Sequence, residues 1–251
     1  MPGDQGRSLD ALDRSVPDTY SNLCHLPTNE FVLKPCYSNN GGVGPLIYLV
    51  GDSHAAQWVP ALEAVSPTNF ARFRYITKSS CPYVSLKFNK NCEKWIENVT
   101  EDIISNKPTL VIFSSMTNAR YITPLNEETY SKLWLKNFHL FSTRIKQSTQ
   151  IALIEDTAYS SFDSSECLLS HRELNCDFSF RQTRLTQLIE KYALAHGISY
   201  LNFNTKLCPE MRCASGDSQI NYYRDAHHVS VSLSTRFGPL MKENLKDILR
   251  M

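Results

Sequence analysis

No apolar run in this 251-residue chain approaches the length that crosses a bilayer, and Met1 to Tyr20 is polar. Neither a transmembrane helix nor a signal peptide is therefore expected within it. An excess of one charge is lacking as well. Twenty-six Lys and Arg stand against 25 Asp and Glu, a formal net charge of +1, and the basic residues are scattered. That argues against nucleic acid or an anionic membrane surface as a partner. Internal repeats and low-complexity tracts are missing, and so is any composition break that would mark a second core. Ligand pairs of the C-x-x-C or H-x-x-x-H kind are absent too, which excludes the usual zinc reading of the cysteines.

The eight cysteines that are present fall as neighbours along the chain: Cys24 with Cys36, Cys81 with Cys92, Cys167 with Cys176, and Cys208 with Cys213. Sequential pairing would close the smallest loops, although spacing alone does not fix connectivity. Four disulfides stapling loops imply an oxidising compartment, so an export signal or anchor is expected outside this sequence. With 42% apolar residues the chain can bury a sizeable core.

Residues 1–44 show little periodicity and read as an irregular extension, leaving 45–251 as one α/β domain. Leu46 to Val50 is an unbroken apolar run, a strand buried on both faces, and a helix follows to about Ser66. Phe70 to Thr77, Thr109 to Phe113, Ile151 to Ile154 and Ile198 to Phe203 read as four further strands. The helices fall at Lys94 to Ser105, Glu127 to Gln147, Thr183 to His196 and Ser232 to Leu249. The stripe Trp134, Phe138 and Phe141 reads as core, and Tyr159 to Phe180 as loop. Five strands alternating with helices predict a three-layer α/β/α sandwich around a five-stranded, mainly parallel sheet with disulfide-stapled loops. Sites in such sheets form beyond the carboxyl ends of the strands.

Ser53 lies there, at the strand-to-helix turn Gly51-Asp52-Ser53-His54. A hydroxyl in that position sits near outward-pointing N–H groups and could serve as a nucleophile, or Asp52 and Ser53 could simply cap the helix. A serine nucleophile needs a base and a group that orients the base. Asp225-Ala226-His227-His228 offers both in one turn, with Asp225 and His228 at a spacing of three. His227 reads as a structural neighbour of His228, and His54 as a packed or hydrogen-bonded helix residue. Asp52, His54, Asp225 and His227 have poor spacings for a metal, and neither a metal nor a bound cofactor is expected. Asn98-Val99-Thr100 is a glycosylation sequon, meaningful only in a eukaryotic source.

Gly51-Asp52-Ser53-His54 and Asp225-x-x-His228, in this order and separation, resemble the SGNH (GDSL-like) hydrolase superfamily, which implies its flavodoxin-like fold. The fuller G-D-S-H-A-A-Q, the Ser80-Cys81-Pro82 turn and the D-x-H-H-V-S ending from Asp225 to Ser230 look like the SGNH domain at the carboxyl end of membrane-bound acyltransferase-3 proteins, which modify bacterial surface polysaccharides such as lipopolysaccharide. The resemblance covers about Pro45 to Met251. It implies a triad of Ser53, His228 and Asp225, an acyl-serine intermediate, a glycan acceptor, and an upstream membrane domain that supplies the acyl group, expected to be acetyl, to a periplasmic, membrane-tethered domain. In the family, a second-block glycine and a third-block asparagine complete the oxyanion hole. Here Ser79-Ser80 and Ser114 to Asn118 replace them, which points to Ser53, Ser80 and Asn118 as the donors. A secreted esterase acting on acylated glycans or lipids, and an inactive glycan-binding domain, are the competing readings.

Overall fold

A computed structural model describes residues 12–38, 44–65, 70–87, 89–118, 123–170 and 176–250. Within them the chain begins with β1 (His25–Leu26), β2 (Leu46–Gly51), α1 (Ser53–Ala56), α2 (Val59–Val65) and β3 (Arg72–Lys78). It continues through α3 (Lys90–Asn106), β4 (Leu110–Ser114), α4 (Glu127–Ile145), β5 (Gln150–Ile154), α5 (Ser164–Ser170) and β6 (Phe178–Ser179). The last elements are α6 (Arg184–Ala195), β7 (Ser199–Leu201), α7 (Asn204–Leu207), β8 (Arg212–Cys213), α8 (Val231–Arg236) and α9 (Gly238–Leu249).

Successive side chains of a strand point to opposite faces, and in the central strands both sets are apolar. Ile47 and Leu49 of β2, Leu110 and Ile112 of β4, and Ala152 and Ile154 of β5 enter one core, shared with α2, α8 and α9. Tyr48 and Val50, Val111 and Phe113, and Ile151 and Leu153 enter the other, which holds Trp95 of α3, Trp134, Phe138 and Phe141 of α4, and Ile189 of α6. The sheet is therefore the middle of three layers. A fully buried Val, Leu, Ile or Phe contributes roughly 1.5–3 kcal/mol and a disulfide roughly 2–4 kcal/mol. The two cores, with dozens of such side chains, therefore outweigh the four disulfides as the source of stability.

The sheet order is β1-β3-β2-β4-β5-β7, parallel throughout. The chain leaves β2 for β3 on one side and returns to β4 on the other, so the topological switch point lies at the carboxyl end of β2. The disulfides join Cys24–Cys36, Cys81–Cys92, Cys167–Cys176 and Cys208–Cys213, the sequential pairs.

Three expectations are corrected. The sheet has six strands, not five, and the sixth comes from the segment read as an irregular extension: β1 pairs with β3, and Lys78 Nζ donates to the carbonyls of Pro27 and Glu30 at 2.7 and 2.6 Å. Two residues carry no alternation to detect. The loop from Tyr159 to Phe180 contains α5 and β6, the latter pairing antiparallel with β8; residues 171–175 lie outside the described residues. The final helix is two helices joined at Phe237, because Pro239 has no N–H for a helix interior and begins a new one instead. Gly238 permits the close approach there, since a Cβ on it would lie 2.7 Å from Ala64 Cβ.

Candidate active site

Each residue of Gly51-Asp52-Ser53-His54-Ala55-Ala56-Gln57 has a separate physical task. Gly51 has φ +153°, and a Cβ there would stand 1.7 Å from the Ser114 carbonyl oxygen, so only glycine lets β2 and β4 close at this point. Asp52 caps α1 by accepting from His54 N–H at 2.8 Å, while its other oxygen accepts from Met116 N–H at 3.0 Å. Ser53 opens α1 and is half-buried. Its N–H, in the first turn of the helix, has no intrahelical acceptor. Gln57 accepts from Val229 N–H at 2.9 Å and donates to the His54 carbonyl at 3.1 Å, clamping the loop before α8 onto α1.

That loop brings Asp225 and His228 to Ser53. His228 Nε2 lies 2.9 Å from Ser53 Oγ, and His228 Nδ1 lies 2.7 Å from Asp225 Oδ2. Asp225 Oδ1 accepts from the backbone N–H groups of His227 and His228 at 2.9 and 2.8 Å. An ionised Asp225 accepts the Nδ1 proton and leaves Nε2 as the lone-pair nitrogen facing the hydroxyl. Burial raises the Asp225 carboxyl, but the His228 imidazole and the two backbone donors outweigh it and hold it well below the usual carboxylate range. Burial is also the main reason His228 is lowered to about 4, with His54 adding to it and Asp225 opposing. At neutral pH the imidazole is thus an unprotonated base.

A second chain of groups adjoins this one. His54, fully buried, places Nδ1 2.6 Å from Asp156 Oδ1 and Nε2 3.1 Å from His227 Nδ1. Asp156 Oδ2 accepts from Thr117 N–H and Oγ at 2.6 and 2.9 Å. Burial pushes Asp156 up to about 7 and Asp52 up to about 6, and lowers His54 to about 4. The Thr157 hydroxyl donates to the His227 carbonyl at 2.9 Å. Asp156, Thr157 and Gln57 hold the site together, and sequence reasoning missed all three.

Ser80 and Asn118 lie in the loops that leave β3 and β4, on either side of the Ser53 turn. Ser80 is exposed and has φ +52°, the left-handed conformation that glycine adopts without strain. The turn is held in place by Ser79 N–H to the Leu26 carbonyl at 2.8 Å, Ser79 Oγ to His25 Nε2 at 2.9 Å, and the Cys81–Cys92 disulfide. Ser80 thus holds a backbone conformation that glycine would adopt readily. In the Ser114 to Asn118 run, the N–H groups of Met116 and Thr117 are committed to the carboxylates of Asp52 and Asp156. Neither is free for an oxyanion.

The sequence profile of the family described as "SGNH domain (fused to AT3 domains)" matches residues 23–243. The chain belongs to this family. The match begins before β1, so the edge strand is part of the SGNH domain's matched region. Among solved structures, the lipopolysaccharide acetyltransferase periplasmic domain from Salmonella ser. Paratyphi A is 16% identical, with a TM-score of 0.64 over 83% of this chain and 85% of that one. A putative arylesterase from Agrobacterium tumefaciens is 12% identical, with a TM-score of 0.53 over 81% and 99%. A catalytic mutant of an acetylxylan esterase from Geobacillus stearothermophilus is 14% identical, with a TM-score of 0.51 over 83% and 95%. These likenesses establish the α/β SGNH fold. A comparison with curated proteins finds no match. None of the described helices is long and apolar enough to cross a membrane.

Proposed function

We propose that this SGNH domain is an O-acyltransferase that moves an acyl group, most simply acetyl, through an acyl-Ser53 intermediate to a hydroxyl of a bacterial surface polysaccharide. The observation that carries this reading is the continuous chain from Asp225 through His228 to Ser53 Oγ, with contacts of 2.7 and 2.9 Å. Ser53 Oγ attacks the acyl carbonyl while His228 Nε2 takes its proton and Asp225 holds the imidazolium. The proton goes to the leaving group of the donor. An acceptor hydroxyl then gives its proton to His228 and attacks the acyl-serine, and the returning proton restores Ser53. The N–H groups of Ser53 and Ser80, with the side chain of Asn118, are the proposed oxyanion donors.

The fusion to AT3 domains in the family description supports an upstream membrane domain that delivers the acyl group, so the SGNH domain itself holds no cofactor in this reading. Four disulfides and a periplasmic neighbour support a periplasmic location. The esterase neighbours favour a second reading, in which water takes the acyl group from acyl-Ser53. The purified domain, given p-nitrophenyl acetate with and without an oligosaccharide acceptor, separates the two. Acylated oligosaccharide is the expected product, release of acetate alone supports the esterase, and a Ser53→Ala variant as active as the parent removes both and leaves a glycan-binding domain.

A further inference from the structure

We propose that His54, His227 and His228 form a site for a zinc-like divalent transition-metal ion, whose occupation and the activation of Ser53 exclude one another. One ring nitrogen from each lies within 4.8 Å of those of the other two. Two close pairs face each other: His54 Nε2 with His227 Nδ1 at 3.1 Å, and His228 Nε2 with Ser53 Oγ at 2.9 Å. Zinc bound tetrahedrally at about 2.0–2.1 Å holds its donors roughly 3.3–3.4 Å apart. The His54–His227 pair is already close to that separation, and the remaining gap to His228, at most 4.8 Å between the three nitrogens, needs up to about 1.4 Å of closure by side-chain rotation. A water would be the fourth ligand, since coordination of the Ser53 hydroxyl would activate it and not silence it.

The surroundings are those of a metal-binding imidazole cluster. Asp156 backs His54 at Nδ1 and Asp225 backs His228 at Nδ1, so two carboxylate–histidine pairs present Nε2 to the same space. The ionised Asp225 supplies negative charge for a divalent ion, although Arg224, with Nε 3.7 Å from Asp225 Oδ2, opposes part of that. Three imidazoles suit zinc, copper or nickel rather than the oxygen-seeking magnesium or calcium. His54 closes the inner side while His227 and His228 are partly exposed, which leaves a way in. On binding, the proton between His54 and His227 moves to His227 Nε2, which leaves His54 Nε2 and His227 Nδ1 as lone-pair ligands. The His228 Nε2 lone pair can ligate a metal or accept the Ser53 proton, not both, so a bound ion silences the nucleophile. No local spacing motif reveals the site, since 173 residues separate His54 from His227.

Binding is tested on the purified domain with metal alone, independently of any activity. Co2+ is expected to bind with the intense visible absorption of a four-coordinate ion and to be displaced by Zn2+. Competition against a chromophoric chelator should show His54→Gln and His227→Gln each weakening Zn2+ at least about tenfold, and Asp156→Asn roughly 10–100-fold, as loss of a carboxylate behind a ligating histidine does. Hydrolysis of p-nitrophenyl acetate should fall with the same Zn2+ midpoint and return with EDTA. The wild-type Co2+ spectrum does not depend on how the variants fold. A weak six-coordinate spectrum, or affinity unchanged in both histidine variants, overturns the proposal. So does loss of binding in a His139→Gln/His196→Gln double variant, whose rings lie 5.8 Å apart at another place on the surface. If the domain binds metal as expected but hydrolyses nothing, the acyl-transfer reading fails while the metal site stands.

Discussion

Replacing Asp225 by asparagine changes one oxygen to an NH2 group, and the loop itself dictates which way the amide turns. Asp225 Oδ1 accepts two backbone N–H bonds, from His227 and His228, and only the amide oxygen of asparagine can keep them. The NH2 group must then face His228 Nδ1, where it donates. The imidazole answers by carrying its proton on Nε2, pointed at Ser53 Oγ 2.9 Å away, and the base is lost without any change of shape. A wrong tautomer of this kind costs a serine triad about ten-thousand-fold in kcat, which is about 5.4 kcal/mol at 1.36 kcal/mol per decade. If Asp225 served only as a partly exposed ion-pair partner, the loss would be about 0–1 kcal/mol, less than tenfold. Steady-state release of p-nitrophenol, with thermal melting measured alongside, distinguishes the two. The expected result is a nearly unchanged melting temperature with activity reduced by at least about a thousandfold. Activity within tenfold of the parent would refute the triad geometry as the source of catalysis.

Other expectations follow from the same atoms. Because His228 is lowered to about 4 and must be neutral to accept the Ser53 proton, kcat/KM should stay flat from pH 7 to pH 5 and reach half its plateau near pH 4; an acid limb centred near the ordinary histidine value of about 6.5 would contradict the burial argument. Gly51→Ala should fail to yield folded protein, judged by circular dichroism and gel filtration, since its Cβ would stand 1.7 Å from the Ser114 carbonyl; a well-folded variant would show that β2 and β4 can part at low cost. Gln57→Ala removes the acceptor of the buried Val229 N–H and should cost about 1–3 kcal/mol in denaturant unfolding, together with a loss of activity as the loop carrying His228 loosens. An unchanged midpoint would mean that the loop is held elsewhere.

The parts of this protein that could be read from sequence are those whose signal is local. Leu46 to Val50 is apolar at every position because the strand faces two cores, and the Ser53 turn and the Asp225 to His228 turn each put their chemistry within four residues. Cysteines close in sequence paired as their spacing suggested. What was hidden is long-range. Asp156 follows β5 with no motif around it, and its meaning comes only from His54, 102 residues earlier. β1 is two residues long and gains its identity from pairing with β3. The left-handed backbone of Ser80, φ +52°, is likewise invisible in the sequence, because serine rarely adopts it. The split of the last helix was readable in principle from Pro239, which the apolar periodicity on either side masked.

The central claim is that Ser53 carries the acyl group. Rapid acid quenching of the domain after mixing with p-nitrophenyl acetate, followed by intact mass and peptide mapping, tests it directly. The account predicts one acetyl adduct, located on Ser53, formed in the parent and absent from Ser53→Ala. An adduct on another residue, or turnover in Ser53→Ala at the parent's rate, would contradict it.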